Sequence, residues 1–322
     1  MGKYILKRLL LMIPVILGVV ILVFTILYIT PGDPAQVILG DQASDAQLNA
    51  LRHEMGLDQP YIVRLGQYLY QVFFHFDFGE SYITGVSITE EILARFPVTL
   101  TIAVATIVIS LGIGIPLGVY AATHQNSVGD YGTMGLALVG TSMPGFWLAL
   151  MAILIFSYKL GWLPAYGLES WQSWILPILA NAFAEVAVQA RQTRSSMLEV
   201  LNSDYIVMAK SKGLKKWEVI YKHALPNALI PIITIAGTSF GTSLGGAIII
   251  EAVFSIPGIG TYLMTGVNNR DYFVVQGGVT ILAIAFCVIM LLSDLVIAAF
   301  DSRIRAQFVG GGRKRRIRHG KA

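Results

Sequence analysis

Residues 9–29 read LLLMIPVILGVVILVFTILYI, 21 successive positions without a charge, and Lys3, Lys7 and Arg8 stand just before them. A helix crossing about 30 Å of hydrocarbon needs roughly 20 apolar residues, so this run is a membrane span by length. It exceeds the apolar core of a cleaved signal peptide, about 7–15 residues, and no small-x-small cleavage site follows in 30–34, TPGDP. A retained first span is therefore expected. Leu6 stands where a myristoylation signal wants Ser or Thr.

The same criterion, carried outward, finds five more runs: 98–122, 134–158, 174–190, 229–252 and 278–300. The fourth is the weakest, because it is short and holds Pro177 and Glu185; its end can slide toward Arg191. Composition agrees, with 13% charged residues against roughly a quarter in a soluble domain and a mean hydropathy of +0.67. The expected fold is an all-α membrane protein of six transmembrane helices. The one cysteine, Cys287, lies in an apolar run, which excludes a disulfide framework and cysteine-based metal or redox chemistry.

Of the 23 Lys and Arg residues, 18 fall before span one, between Arg191 and Lys222, or from Arg303 onward. Basic residues stay on the cytoplasmic side, so both termini and the loop 191–228 are expected there. The other five, Arg52, Arg64, Arg95, Lys159 and Arg270, fall on outside segments. The chain then divides into 1–30 with the first span, an external domain 31–94, a five-helix core 95–301, and a basic cytoplasmic tail 302–322. The external segment has amphipathic character over 45–55 and an aromatic cluster from Tyr68 to Phe78; connections this long are rarely structureless. The tail sequence RKRRIR at 313–318 suits anionic lipid better than nucleic acid.

Several motifs are set aside on physical grounds. Gly-x-Ser-x-Gly occurs at 237–241 and 241–245, but a nucleophile elbow needs a strand-turn-helix setting and a nearby histidine base, and no histidine lies in a span. Gly237, Gly241 and Gly245 instead leave one helix face bare, for close helix packing or for lining a path. Glu185, Glu251 and Asp294 are acids within or near spans, costly enough to raise a functional hypothesis. Structural pairing competes with it: Glu251 is placed near the outer end of its span, where water can reach it, and Asp294 within reach of hydroxyls or cations on neighbouring helices. No metal-ligand spacing occurs. The phosphate-cradling Gly-x-x-x-x-Gly-Lys-Ser/Thr loop is absent as well, so ATP hydrolysis would have to occur on another polypeptide.

Residues 203–227 read SDYIVMAKSKGLKKWEVIYKHALPN, two short helices around a glycine. Asn202 or Ser203 can cap the first, Gly213 suits a left-handed C-terminal position, and Pro226 opens the next span. Tyr205, Met208 and Ala209 form one apolar edge; Trp217, Ile220, Tyr221 and Ala224 form another. Such a basic hairpin can lie on lipid or insert into a partner.

This loop resembles the EAA motif of permeases in binding-protein-dependent ABC importers, with Gly213 and Leu225-Pro226 at the expected separation. It departs from the motif at Val207 and Met208, which replace the acid and first alanine and leave Ala209, and at His223, where an aliphatic residue is usual. Those departures resemble the dipeptide, oligopeptide and nickel branch, as do 193–201 (TRSSMLEVL), 223–231 (HALPNALIP), 254–258 (FSIPG), 270–272 (RDY), 275–278 (VQGG), 301–305 (DSRIR), 31–34 (PGDP) and 56–60 (GLDQP). The resemblance implies a type I, MetI-like permease fold in the bacterial inner membrane. It implies as partners a second permease, two ATPases carrying ATP and Mg, and an external solute-binding protein, with no cofactor or metal on this chain. It also implies that Tyr205, Ala209, Lys210, Ser211, Lys212, Gly213, Leu214, Lys215, Trp217, Leu225 and Pro226 form the ATPase-coupling loop.

The rival reading is a stand-alone secondary transporter or channel, which would carry coupling-ion sites at broken midplane helices. Pro116, Pro144 and Pro177 offer such breaks, and no paired acidic site accompanies them. Di- and oligopeptides, nickel or another metal chelate, opines and glutathione all remain open as solutes. The topology is checked by single-cysteine labelling from outside with Cys287 removed: modification at Gln42 and none at Ser211 is expected, and the reverse pattern would end the six-span arrangement.

Overall fold

The computed structural model describes residues 2–40 and 42–300; the basic tail 302–322 lies outside the described residues. Helix α1 is Gly2–Ile29, and α2 (Pro34–Leu39), α3 (Asp45–Glu54) and α4 (Tyr61–Tyr70, continuing as a wide turn Gln71–His75) follow it. Helix α5 is Ile88–Thr123. Next come α6 (Val128–Ser142) and α7 (Gly145–Ala152, continuing as a wide turn Ile153–Lys159). Helix α8 (Ile175–Leu201) is followed by α9 (Asp204–Ser211) and α10 (Lys216–Glu218), which passes through a wide turn Val219–Ala224 into α11 (Leu225–Val253). Helices α12 (Ile259–Asn268) and α13 (Tyr272–Phe300) complete the order.

Among the described residues, five helices are long and apolar enough to cross a membrane, and the bent pair α6 and α7 makes a sixth span if its two halves are counted as one. The third span is therefore not the straight run expected over 134–158. Its two helices meet at 100°, because Pro144 forces the preceding Met143 into extended backbone (φ −85, ψ 130). Helix α8 runs through Arg191 to Leu201, and α11 begins at Leu225. The loop expected at 191–228 is thus confined to 202–224. Helix α5 begins at Ile88, inside the segment assigned to the external domain, and α12 is an element not expected from the sequence.

The expected amphipathic helix at 45–55 is α3, opened by a capping box in which Ser44 and Gln47 satisfy each other's backbone amides. Its neighbours join one apolar cluster at the far end of the bundle. There Phe24 of α1, Tyr68 and Val72 of α4, Ile88 and Ile92 of α5, Ile259 and Leu263 of α12, and Val274 of α13 come together. Burial pushes the Tyr68 phenol up to about 12, so it packs as a neutral ring. The aromatic cluster divides: Tyr68 and Phe78 are buried, whereas Tyr70, Phe74 and Phe76 stay exposed.

The most extensive helix contact joins α5 and α8. A methyl built on Gly118 would lie 2.5 Å from the Ala190 carbonyl oxygen and 2.5 Å from Thr193 Cβ, and one on Gly114 would lie 2.7 Å from Gln189 Cβ. Two glycines four apart therefore let the backbones touch. The glycine face expected on α11 holds in part: Gly237 meets Ser293, and Gly241 meets Phe286, both on α13. Gly245 has nothing of this chain's described residues within 4 Å of its would-be Cβ. Accordingly, Gly118→Ala should lower stability by about 1–3 kcal/mol through overpacking, while Gly245→Ala should be neutral or slightly stabilising. Thermal unfolding of the purified protein checks the contrast.

Candidate functional site

The segment 203–224 folds as the expected helical hairpin. Ser203 sits at the N-cap of α9, although its hydroxyl donates back to the Val200 carbonyl at 2.6 Å and makes no cap. Asn202 likewise donates to the Leu198 carbonyl, at 2.9 Å. Gly213 ends α9 with φ +76, and its amide donates to the Lys210 carbonyl at 2.9 Å. That left-handed backbone is why glycine stands there. Pro226 occupies the first turn of α11, where its missing N–H costs nothing.

Each expected apolar edge divides between core and surface. Ile206, Ala209, Val219, Ile220 and Ala224 are buried against Val119 and Ala122 of α5 and Met197 of α8. Tyr205, Val207, Met208, Trp217 and Tyr221 are each roughly half exposed. Lys210, Ser211, Lys212, Gly213, Leu214 and Lys215 are exposed at the turn, Leu225 is half-buried, and Pro226 is exposed. The Lys222 ammonium lies 4.9 Å from the Trp217 ring centre and bonds Glu218 at 3.1 Å, holding the indole outward. Under the hairpin, a cavity of about 590 Å³ is bordered by Thr123, His124, Asn202, Lys210, Leu214 and Lys216.

One ion pair beside the hairpin escaped the sequence reading. Asp130, at the start of α6, accepts from Arg194 Nε at 2.6 Å and Nη2 at 2.7 Å, and its side chain is 2% exposed. The Asn126 amide donates to the same carboxylate at 3.0 Å. The partners stand 64 residues apart, so no local pattern announces them. The pair fixes the end of α8 from which the hairpin departs.

The three acids differ in kind. Asp294 of α13 pairs with Arg8 of α1 at 3.0 Å, a cation on a neighbouring helix as expected. Glu185, midway along α8, accepts from Thr242 Oγ1 at 3.4 Å, and its other oxygen has no partner among the described residues. Glu251 is not within reach of water: it is fully buried. It accepts from Thr99 Oγ1 at 2.6 Å and from the Thr261 amide at 3.0 Å, while Thr99 Oγ1 accepts the Ile259 amide at 2.9 Å. Its carboxyl therefore satisfies the first turn of α12, against Gly258 and Gly260, where any side chain would strike it.

An apolar multi-pass bundle carrying a surface hairpin with a hydrophobic outer face fits a membrane transport permease. Comparison with known proteins makes this specific. Residues 114–306 match the family described as binding-protein-dependent transport system inner membrane component, and residues 1–103 match its N-terminal counterpart. The dipeptide transport system permease protein DppB of Alkalihalophilus pseudofirmus is 42% identical, covering 95% of this chain and 100% of its own length. The glutathione transport system permease protein GsiC of Salmonella typhi is 42% identical, covering 95% of this chain and 99% of its own. A solved inward-facing MetNI methionine ABC transporter shares the fold, with a TM-score of 0.57 at 19% identity over 66% of this chain and 96% of that one.

The chain belongs to the binding-protein-dependent transport system inner membrane component family and is a permease subunit of an ABC importer. The stand-alone transporter reading is not favoured. For Glu251, the geometry makes Glu251→Ala cost about 3 kcal/mol, because buried donors at the start of α12 lose their acceptor. Glu251→Gln, which keeps one acceptor, should cost less. Lost transport at unchanged thermal stability would instead give Glu251 a role toward solute.

Proposed function

We propose that this chain, with a second permease, forms the path by which a binding-protein-dependent importer takes up short peptides. The names of the similar proteins support the substrate class, since dipeptides and glutathione are both short peptides. The partners are two cytoplasmic ATPases, which carry ATP and Mg, and an external binding protein. Both termini lie in the cytoplasm, and the external helices α2–α4 form a small domain on the opposite side.

The observation that carries the coupling role is the exposed outer face of the hairpin. Tyr205, Met208, Trp217 and Tyr221 expose large apolar area on a turn whose inner residues are locked into the bundle core. A patch of this kind is covered by a partner, and α5 and α8 receive the force through the buried residues. ATPase closure then shifts the hairpin, and the bundle follows between its two access states.

Gly213 tests this. A methyl there would meet nothing within 4 Å, so a substitution acts through the left-handed backbone and through the partner surface, not through a clash within the chain. Gly213→Val should cost on the order of 1–2 kcal/mol, insert normally, and either lose its ATPases or lose stimulation of ATP hydrolysis by the binding protein. Gly213→Ala should be milder. Full transport with full stimulated hydrolysis in Gly213→Val would remove the hairpin from the coupling path and favour a lipid-surface role.

A further inference from the structure

At the end of the bundle opposite the hairpin, a cavity of about 360 Å³ lies between the last turn of α1, the helices α2–α4 and the first turn of α13. Its polar wall brings together Asp33, Arg52, Arg64, Tyr272 and Gln276. Behind it a smaller cavity of about 70 Å³ shares Arg64, Tyr272 and Gln276.

The charges of this wall do not balance. Asp33 is fully used: Oδ2 accepts from Arg52 Nε at 2.9 Å and Nη2 at 2.6 Å, and Oδ1 accepts from the Ala35 amide at 3.1 Å. Arg64 makes no ion pair among the described residues, and its guanidinium lies 5.6 Å from the centre of the Tyr28 ring. A third cation, Arg270, packs against Gly32 of the cavity wall, with Nη1 2.6 Å from where a methyl would stand. Two guanidiniums thus line the cavity and a third adjoins its wall, while the one acid of the lining is already paired with Arg52. A guanidinium fork facing a cavity suits an oxyanion, above all phosphate.

The second requirement comes from Gln276. The residue is 6% exposed, yet its Oε1 has no hydrogen-bond partner among the described residues. A buried acceptor needs a donor, so the ligand must carry a hydroxyl or similar donor beside its phosphate. The third comes from the cavity's surroundings. The last residues of α1 expose Ile26, Tyr28 and Ile29 by 46–70%, an apolar surface at a span end with a tyrosine at the boundary, where such rings sit among lipid headgroups.

We propose that this cavity binds the headgroup of an anionic glycerophospholipid, with its phosphate on Arg64 and its headgroup hydroxyls on Gln276 Oε1. The same chemistry could be presented by a free glycerol phosphate, and the test separates the two sources. The full-length chain, purified in detergent and exposed to equimolar phosphatidylglycerol and phosphatidylcholine, is examined by native mass spectrometry. Wild-type protein should retain phosphatidylglycerol preferentially. Arg64→Gln should lower that retention about tenfold, the loss of one charge-assisted contact, and Gln276→Leu should lower it as well. Arg64→Lys should restore part of it, which a purely structural role for the arginine would not produce, and unchanged thermal unfolding shows that each variant is folded. Saturable binding of glycerol 3-phosphate without phospholipid retention would overturn the lipid assignment and make the ligand a soluble phosphate. Equal retention of both lipids by wild type and Arg64→Gln, with no binding of glycerol 3-phosphate, would overturn the site altogether.

Discussion

The hairpin end of the molecule depends on the absence of two side chains. Because Gly114 and Gly118 are bare, α8 lies against the backbone of α5, within contact of Gln189, Ala190 and Thr193. In lipid there is no hydrophobic gain from pressing helices together, so closeness must come from small residues and from polar contacts. Here both act: at the level of Gly118, Arg194 reaches Asp130 on α6, and three helices are fixed together. Met197, Val119 and Ala122 then present a single floor, and the hairpin is built on it.

That floor explains how one short segment serves two surfaces. Ile206 and Ala209 are three apart on α9, and Ile220 and Ala224 are four apart in the turn leading into α11, so each pair faces inward on a helical period. The residues beside them, Met208 and Tyr221, are then turned outward by the same period. An apolar side chain on the outer face of a solvated hairpin gains nothing from the fold of its own chain. Its gain lies in being covered, which the proposed ATPase contact would supply.

Much of this was legible in the sequence, for physical reasons that can be named. Span existence follows from length against hydrocarbon thickness, and the hairpin from Gly213, whose positive φ is a local requirement. Span ends were less legible, because α8 continues past Arg191 into water as a helix held by tertiary contacts. The glycine pair on α5 was missed although its spacing equals that of Gly237 and Gly241. A bare face says that close approach is permitted but not that a neighbour is there, as Gly245 demonstrates. The pairs Asp130–Arg194 and Glu251–Thr99 bridge long stretches of chain, so neither leaves a periodic trace. For Glu251 the sequence favours structural pairing over solute contact but does not name the partner, the start of α12, whose amide and Thr99 meet the cost of the buried acid.

Helix α5 relates the two ends. It is fixed at Thr99 by Glu251 and at Gly118 by α8, positions separated by about 29 Å along a helix, close to the thickness of the hydrocarbon layer. Between them Thr106 receives the Asn181 amide at 3.2 Å, and the same amide donates to Ser243 of α11 at 2.9 Å. Few polar groups within hydrocarbon have water as an alternative partner, so each of these attachments resists loss more than it would in water. A helix tied at three heights to α8 and α11 would, in the proposed cycle, move with them as a body. In that cycle a displacement of α8 at the hairpin would reach Thr99, and through Thr99 the amide of Ile259 at the start of α12, without any contact at the two ends having to sense the other directly.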